Sequence, residues 1–315
     1  MLATLETPDL SEKDAGQLSF ALGKAYNDLG VAEKAFPYYQ RANQSIDVSF
    51  PWEQFEAYLK SQREIYTQAF FDKAPRAAES DFAPVFIVGM LRSGTSLLEQ
   101  IIAAHSQFCG IGERPELAKV TQRIPDYPHS APKLTAEQLK QLAGHYETDI
   151  APHRQNDLRP VDKMMTNFMH LGFIALLFPN AKIVHTRRHP CAVALSCFFQ
   201  NFAHQPGWTT SIDGIGRYYA LYEKMMDHWA AHLPLPIHHL SYEALLADPE
   251  PETRRLIEFC GADWEPACLE FHKNRSVVQT ASNWQVRQPL NRSNAEKWRR
   301  YEPYLDDLKP WIEWT

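Results

Sequence analysis

The chain has 315 residues and a formal net charge of −6 at pH 7, and 44% of its residues are hydrophobic. This length and composition support the core of one α/β enzyme domain with a small appendage. An acidic chain with local basic clusters favours a small polyanionic ligand over nucleic acid, and no apolar run is long enough to span a membrane.

The five cysteines form no Cys-x-x-Cys pair, and their odd number predicts reduced thiols rather than a disulfide framework. They are Cys109, Cys191, Cys197, Cys260 and Cys268. Neither they nor the thirteen histidines show the spacing of a zinc site, so we expect no metal. The polar start MLATLETPDLSEKDAG is unlike a signal peptide, which together with the thiols predicts a reducing compartment.

The first 50 residues have a pattern of their own. Small and aromatic residues occupy the positions typical of a tetratricopeptide unit, namely Gly23, Tyr26, Ala35, Tyr39 and Ala42. One such unit cannot bury its own apolar face, so we expect it to pack on the following helix and on the main domain. A plain helical hairpin is the alternative interpretation.

These patterns divide the chain into three parts. Residues 1–50 form the helical hairpin, and residues 83–315 form the main domain. Between them, residues 51–82 comprise a connecting helix, from about Trp52 to Asp72, and a linker from Lys73 to Asp81.

The segment from Val85 to Ser106 predicts a buried strand, a loop of small residues and a helix. Such an arrangement aims several backbone N–H groups and a helix N-terminus at one phosphate. Gly94 allows the backbone to approach the anion, Thr95 and Ser96 add hydroxyl donors, and Arg92 adds a charged fork of donors. The loop therefore predicts a phosphate site.

This loop differs from that of nucleoside triphosphatases, which requires a Lys directly after the second Gly. No Lys follows Gly94, and the next strand, KIVHTRRHP, ends in Arg rather than in an acidic metal ligand. The sequence therefore favours phosphate binding without a triphosphate and without a metal.

The sequence RSGTS after a strand is similar to the 5′-phosphosulfate loop of sulfotransferases. These enzymes use 3′-phosphoadenosine-5′-phosphosulfate (PAPS) and release 3′-phosphoadenosine-5′-phosphate (PAP). Arg before Ser-Gly-Thr resembles the protein-tyrosine and glycan branches and the bacterial enzymes that follow tetratricopeptide repeats. The resemblance implies that PAPS contacts Arg92, Ser93, Gly94, Thr95 and Ser96. Since luminal members normally carry a membrane anchor, the sequence favours a bacterial cytoplasmic enzyme.

A second strand, basic turn and helix follow between Ala181 and Phe202. Arg188 and Ser196 are eight residues apart, which is the spacing of the Arg and Ser that hold the 3′-phosphate in sulfotransferases. An Arg at a strand end and a Ser about two helical turns later can both reach one dianion. The sequence departs from the family at Leu91, His189, Cys191 and Ala192, and we expect these positions to shape the loops.

The C-terminal segment from Val277 resembles the part of the family that closes over the nucleotide. The resemblance implies that donors to the adenosine bisphosphate are Thr280, Ser282, Gln285 and Arg287. Charged residues farther along, such as Lys297 and Arg300, are individually better explained by a solvated helix face.

Sulfuryl transfer needs cations at the leaving oxygen and a base for the acceptor hydroxyl. Arg92 is one cation, and Lys163 matches the Lys that the protein-tyrosine branch places at the transferring group. Glu113 lies twenty-one residues after Arg92, the offset of the base in that branch. Glu116 and His105 remain alternative bases.

A third predicted strand, PIHHLS, and the alternation of strands with helices predict an α/β fold with a P-loop-like parallel sheet flanked by helices. The resemblance implies a metal-independent transfer from PAPS to an acceptor hydroxyl on a tyrosine, another phenol or a sugar. A protein or glycan acceptor and a protein partner for the repeat both fit. The alternatives are a P-loop kinase or nucleotide-binding enzyme, and a non-catalytic partner-binding protein with a vestigial site.

Overall fold

The structure, a computed structural model, describes residues 1–7, 9–77, 82–155, 157–273 and 296–312. Its described part contains a five-stranded, fully parallel sheet in the order β2-β3-β1-β4-β5. The strands are β1 (Val85–Gly89), β2 (Phe108–Gly112), β3 (Arg159–Asp162), β4 (Lys182–Arg187) and β5 (Ile237–Ser241).

Helices connect and flank the strands. The α-helices are α1 (Leu2–Leu5), α2 (Glu12–Asp28), α3 (Ala32–Gln44), α4 (Trp52–Ile65), α5 (Gln68–Phe71), α6 (Thr95–Ala103), α7 (Glu116–Gln122), α8 (Ala136–Ile150), α9 (Leu171–Leu177), α10 (Pro190–Phe198), α11 (Ile212–His232), α12 (Tyr242–Ala247), α13 (Pro249–Phe259) and α14 (Lys309–Ile312). Short 3₁₀ helices cover Ala131–Lys133, Ala151–His153, Met165–His170, Trp208–Thr210, Pro266–Lys273, Lys297–Tyr304 and Asp306–Leu308. No helix among the described residues is long and apolar enough to cross a membrane.

The predicted parallel sheet flanked by helices is confirmed, because both faces of β1 are buried. On one face Val85 and Ile87 pack in a cluster with α6 and α13. On the other face the ring of Phe86 lies 5.9 Å from Tyr146 and 6.1 Å from Phe178, measured between centroids. A strand covered on both sides must be apolar along its whole length, as this one is.

Two of the strands were not predicted. The sequence analysis predicts strands at β1, β4 and β5 and assigns no element to β2 and β3, which contain Gly110, Gly112 and Pro160. These residue types disfavour strands locally. In the structure, β3 pairs with both β1 and β2, and these hydrogen bonds stabilise two strands that the local sequence does not predict.

The helix expected from Trp52 to Asp72 is interrupted. The helix α4 ends at Ile65, and Thr67 begins α5 by accepting a hydrogen bond at Oγ1 from the N–H of Phe70. A side-chain cap of this kind fixes a helix start. By contrast, α8 is uninterrupted and begins with a capping box between Thr135 and Gln138.

The described residues cluster into two compact units. The first contains Met1–Trp52, Arg188–Ala220 and residues 296–312, and the second contains Glu53–Arg187 and residues 221–273. All five strands therefore belong to the second unit. The three-part division of the sequence stays a prediction.

Within the first unit, α2 and α3 form the expected helical hairpin. Gly23 permits close packing, since an added Cβ would lie 3.0 Å from the ring of Tyr39. That ring stacks on Phe199 at a centroid distance of 3.9 Å, and Phe36 stacks on Tyr304 at 4.5 Å. The hairpin thus buries its apolar face against Phe199 and Tyr304 of the same unit, and its packing on the following helix and on a main domain stays a prediction.

The contact between α9 and its neighbours in the second unit generates a stability prediction. A Cβ added to Gly172 would lie 2.5 Å from Cγ of Tyr66 and 2.9 Å from Cη2 of Trp229, and both rings are fully buried. We expect Gly172→Ala to lower the free energy of unfolding by roughly 1–3 kcal/mol because the buried rings cannot retreat. Urea denaturation followed by tryptophan fluorescence measures the change.

The matched control is Gly144→Ala on α8, where an added Cβ meets nothing within 4 Å. Because Ala is the better helix former, this substitution should raise the free energy of unfolding by about 0.5–1 kcal/mol. Equal effects of the two substitutions would contradict the packing of α9.

Candidate functional site

The loop between β1 and α6 has the backbone form of an anion site. Arg92 and Gly94 adopt positive φ angles of 67° and 110°, and the N–H of Ser93 donates to the carbonyl of Met90 at 3.1 Å. Gly94 is the N-cap of α6, whose first N–H groups lack acceptors within the helix. Left-handed residues in a loop before a helix turn successive backbone N–H groups toward one point, where the helix dipole also favours negative charge.

Close packing requires the glycines of this loop. A Cβ at Gly94 would lie 2.7 Å from Cδ2 of Tyr242, which packs against the loop from the start of α12. A Cβ at Gly89 would lie 2.7 Å from Oγ of Ser93. A side chain at Gly89 or Gly94 would therefore collide with the loop hydroxyl of Ser93 or with the ring of Tyr242.

Ser93 supports the assignment of a ligand to this loop. Its side chain is 1% exposed, and its Oγ has no hydrogen-bond partner among the described residues. A buried hydroxyl group normally has a partner, since leaving it unsatisfied costs about 1–3 kcal/mol. A phosphate or sulfuryl oxygen in the loop would satisfy it, so the residues present fit a phosphosulfate group.

The structure brings the predicted base and the predicted catalytic lysine together. Nζ of Lys163 donates to Oε1 of Glu113 at 2.6 Å. The lysine side chain is 0% exposed, and the glutamate side chain is 36% exposed. In this ion pair the ammonium group is buried and the carboxylate is partly exposed. The carboxylate can therefore hold the lysine in place and also contact a substrate.

The register of the sheet explains this encounter. Glu113 directly follows β2 and Lys163 directly follows β3, and Gly112 pairs with Asp162 across the two strands. The N–H of Lys163 also donates to the carbonyl of Gly112 at 3.1 Å. Because β1 runs parallel beside β3, the loop between β1 and α6, which we call the phosphate loop (residues 90–94), leaves the sheet at the same carboxyl edge. Ligands of open α/β sheets bind at such an edge.

The carboxylate of Asp162 holds the backbone directly after Lys163. Its Oδ1 accepts from the N–H of Met164 at 2.9 Å and from Nδ2 of Asn167 at 3.2 Å, while Oδ2 accepts from the hydroxyl of Tyr146 at 2.7 Å. Full burial raises the pKa of Asp162 to about 7, although the hydrogen bonds from Tyr146 and Met164 oppose the rise. The sequence analysis missed this residue, whose only signal was a carboxylate next to the candidate lysine.

Glu99 is a second residue that the sequence analysis missed. It lies on α6 with only 4% of its surface exposed, and its Oε1 accepts from the N–H of Gly112 at 2.7 Å. Burial raises the pKa of Glu99, and the charge of Lys163 is the largest opposing influence. A carboxylate inside the apolar run LLEQII was the available signal.

The two alternative bases, His105 and Glu116, have other partners in the structure. His105 uses both ring nitrogens, because Nε2 lies 2.7 Å from the carbonyl of Asp263 and Nδ1 accepts from the N–H of Gln107 at 3.1 Å. It follows the end of α6 and ties that turn to a distant loop. Glu116 is buried at the start of α7, with Oε1 3.4 Å from Nζ of Lys119.

The predicted 3′-phosphate residues lie in the first unit. Arg188 is half-buried directly after β4, and its carbonyl accepts from the hydroxyl of Tyr219 at 3.3 Å, while Ser196 lies on α10. His189, where the family usually has Asp, is the N-cap of α10, and its Nδ1 accepts from the N–H of Cys191 at 3.3 Å. Its ring stacks on Trp298 at 4.2 Å. The remaining predicted donors lie outside the described residues, namely Thr280, Ser282, Gln285 and Arg287.

Comparison with known proteins identifies the family. A family model described as "Sulfotransferase family" matches residues 84–266, more than half of the chain. The chain belongs to the sulfotransferase family. Its residues Arg92–Ser96, Glu113 and Lys163 all lie inside the matched region.

One curated relative extends beyond this sulfotransferase-family chain. An uncharacterized protein of Aquifex aeolicus (strain VF5) is 32% identical over 317 residues, which cover 96% of this chain and 42% of that protein. The chain therefore spans less than half the length of the curated relative that it matches.

Solved structures agree with the family fold. The sulfotransferase domain of the Synechococcus PCC 7002 olefin synthase has a TM-score of 0.50 at 19% identity, covering 72% of this chain and 89% of that one. The sulfotransferase domain from the curacin biosynthetic pathway has a TM-score of 0.50 at 21% identity, covering 69% and 90%. At these identities the similarity shows the fold alone.

The raised pKa of Asp162 generates a prediction for stability against pH. The folded state keeps a proton that the unfolded state, with its ordinary pKa of 3.8, releases. The contribution of this group is therefore complete below about pH 3.8 and is lost as the pH rises through about 7. We expect Asp162→Asn to remove this loss, so that the melting temperature falls less between pH 5 and pH 8.

Asp157→Asn, at an exposed carboxylate on the segment before β3, serves as the control and should keep the pH dependence of the parent protein. Scanning calorimetry across the pH range measures both variants. Parallel curves for Asp162→Asn and the parent would contradict a buried, proton-binding Asp162.

Proposed function

We propose that this chain transfers a sulfuryl group from PAPS to an acceptor hydroxyl. The contact between Lys163 and Glu113, at the sheet edge where the phosphate loop also begins, is the observation that carries the proposal. It joins a cation suited to a leaving phosphate with a carboxylate suited to an acceptor proton. Membership of the sulfotransferase family supports the reaction class.

The donor would be held by residues that the sequence pattern indicates. Arg92, Ser93, Gly94, Thr95 and Ser96 would hold the 5′-phosphosulfate through backbone N–H groups, hydroxyl groups and one guanidinium group. Arg188 and Ser196 would hold the 3′-phosphate. The donors to the adenosine bisphosphate would be Thr280, Ser282, Gln285 and Arg287.

PAPS supplies a sulfuryl group whose bond to the phosphate oxygen breaks as a bond from the acceptor oxygen to sulfur forms. Arg92 and Lys163 stabilise the negative charge that grows on the phosphate oxygen. Oε1 of Glu113 accepts from Lys163, so we assign the acceptor hydroxyl to Oε2, which takes its proton. The products are the sulfated acceptor, PAP and one proton, and no metal enters the balance.

The acceptor is a hydroxyl group on a tyrosine, another phenol or a sugar. Glu113 and Lys163 match the protein-tyrosine branch, which favours a phenol. The N-terminal hairpin is the part of the chain suited to a protein partner, as tetratricopeptide-like units are. The five cysteines are buried thiols rather than disulfides, which supports a reducing, cytoplasmic location in a bacterium.

The donor assignment predicts a specific ligand response. PAP without metal should raise the melting temperature, because a ligand at a hundred times its dissociation constant adds about 2.7 kcal/mol of stability. A thermal-shift titration compares PAP with ADP and with ATP plus Mg²⁺. A response to ATP with Mg²⁺ alone would favour a kinase, and no response to any of them would favour a vestigial site.

The same titration tests the 3′-phosphate site by comparing two adjacent arginines. Arg188→Ala should abolish the PAP response while the protein still folds, because the charge-assisted contact to the dianion is lost. Arg187→Ala removes an equal charge from the exposed neighbouring position and should keep the response. Loss of the response in Arg187→Ala but not in Arg188→Ala would overturn the assignment.

The base assignment predicts a separation of binding from turnover. Glu113→Gln and Glu113→Ala should bind PAP as the parent does but transfer sulfuryl groups roughly 10²- to 10⁴-fold more slowly. Transfer from radiolabelled PAPS to a panel of phenols and sugars measures turnover. Glu116→Gln is the control that should remain active, and unchanged turnover in Glu113→Ala would eliminate Glu113 as the base.

A further inference from the structure

We propose that Glu99 is a positioning residue that sets the geometry of Glu113 and Lys163 from the phosphate-loop helix. This inference deepens the proposed function and rests on it for its catalytic half. Its structural half concerns the peptide group of Gly112 and stands on the contacts of the described residues alone.

Both backbone polar groups of Gly112 form hydrogen bonds. The N–H of Gly112 donates to Oε1 of Glu99 at 2.7 Å, and the carbonyl of Gly112 accepts from the N–H of Lys163 at 3.1 Å. Gly112 has a φ of 77° and is followed directly by Glu113. The direction in which the chain leaves β2, and with it the position of the Glu113 carboxylate, therefore depends on these two hydrogen bonds.

The sheet alone does not fix this turn. The pairing of β2 with β3 is irregular between Gly110 and Gly112, so the regular ladder ends just before Glu113. The position of Glu99 is tightly defined here, because an added Cβ at Gly110 would lie 3.0 Å from its Oε1. The side chain of Glu99 thus adds a hydrogen bond from α6 at the irregular end of the strand pairing.

Glu99 is also an electrostatic neighbour of this pair. Burial raises the pKa of its carboxyl group, and the charge of Lys163 is the largest influence that opposes the rise.

The position of Glu99 on α6 links the donor loop to the proposed base. The N-terminus of α6 carries the loop proposed to hold the phosphosulfate, and Glu99 extends from the second turn of the same helix. One rigid element therefore carries both the donor loop and the hydrogen bond that places the base. Misplacement of a catalytic group by about 1 Å can cost 10²-fold in rate.

A pair of substitutions separates the hydrogen bond from the charge. Glu99→Gln keeps an oxygen acceptor for the Gly112 N–H, whereas Glu99→Ala removes it. We expect kcat to fall roughly 10- to 100-fold in Glu99→Ala, with PAP binding and the KM for PAPS unchanged, and expect Glu99→Gln to restore most of the loss. Thr135→Ala, which removes the cap of α8 far along the chain, controls for general destabilisation and should keep its turnover.

A double-mutant comparison tests whether Glu99 acts through Glu113. In the Glu113→Gln background, Glu99→Ala should change kcat less than about twofold, because the base that it positions is already absent. An equal fold-loss in both backgrounds would show an independent effect and would overturn the inference. Full activity in Glu99→Ala would overturn it as well.

Hydrogen exchange followed by mass spectrometry tests the structural half without any turnover. The Gly112 amide in the unliganded protein should exchange roughly tenfold faster in Glu99→Ala than in the parent, and Glu99→Gln and Thr135→Ala should remain close to the parent. An unchanged rate in Glu99→Ala refutes the inference even if PAP binds and transfer proceeds. A third outcome separates the two proposals. If the Gly112 amide exchanges faster in Glu99→Ala but the parent protein neither binds PAP nor transfers sulfuryl groups, the proposed function is refuted. The structural role of Glu99 in holding Gly112 then still stands.

Discussion

The buried ammonium group of Lys163 is the constraint on which the rest of the site depends. Its side chain has no exposed surface, and an uncompensated charge in such a place costs several kcal/mol even after relaxation. The carboxylate of Glu113 compensates it at 2.6 Å, and Glu99 is a further electrostatic neighbour. The arrangement of three chain segments around one cation follows from this requirement.

The parallel sheet makes the arrangement possible. Parallel strands present their carboxyl ends at one edge, so the phosphate loop after β1, Lys163 after β3 and Glu113 after β2 all leave from the same side. Asp162 then fixes the turn after β3 with both carboxylate oxygens, and Glu99 holds the last peptide of β2. Buried carboxylates here organise the backbone around Glu113 and Lys163, the two groups at the carboxyl edge of the sheet that are proposed to do chemistry.

Local sequence predicted the parts of the fold whose signals are local. The apolar run of β1, the glycine of the loop and the spacing of α6 were each readable from a few adjacent residues. The strands β2 and β3 were not, because Gly110, Gly112 and Pro160 lower the local strand preference. Their pairing is decided by neighbouring strands far along the chain, which no local pattern encodes.

The sequence by itself predicted the family, which the comparison shows, and it named the loop after β1, Glu113 and Lys163 as candidates, since motif spacing and residue chemistry carry that information. The tertiary structure alone decided that Glu113 and Lys163 meet across fifty residues, that His105 contacts backbone partners through both ring nitrogens, and that Glu99 and Asp162 hold the backbone beside this pair. The physical reason is the register of β2 against β3. It converts separation along the chain into contact, and it is set by hydrogen bonds and burial rather than by any short motif.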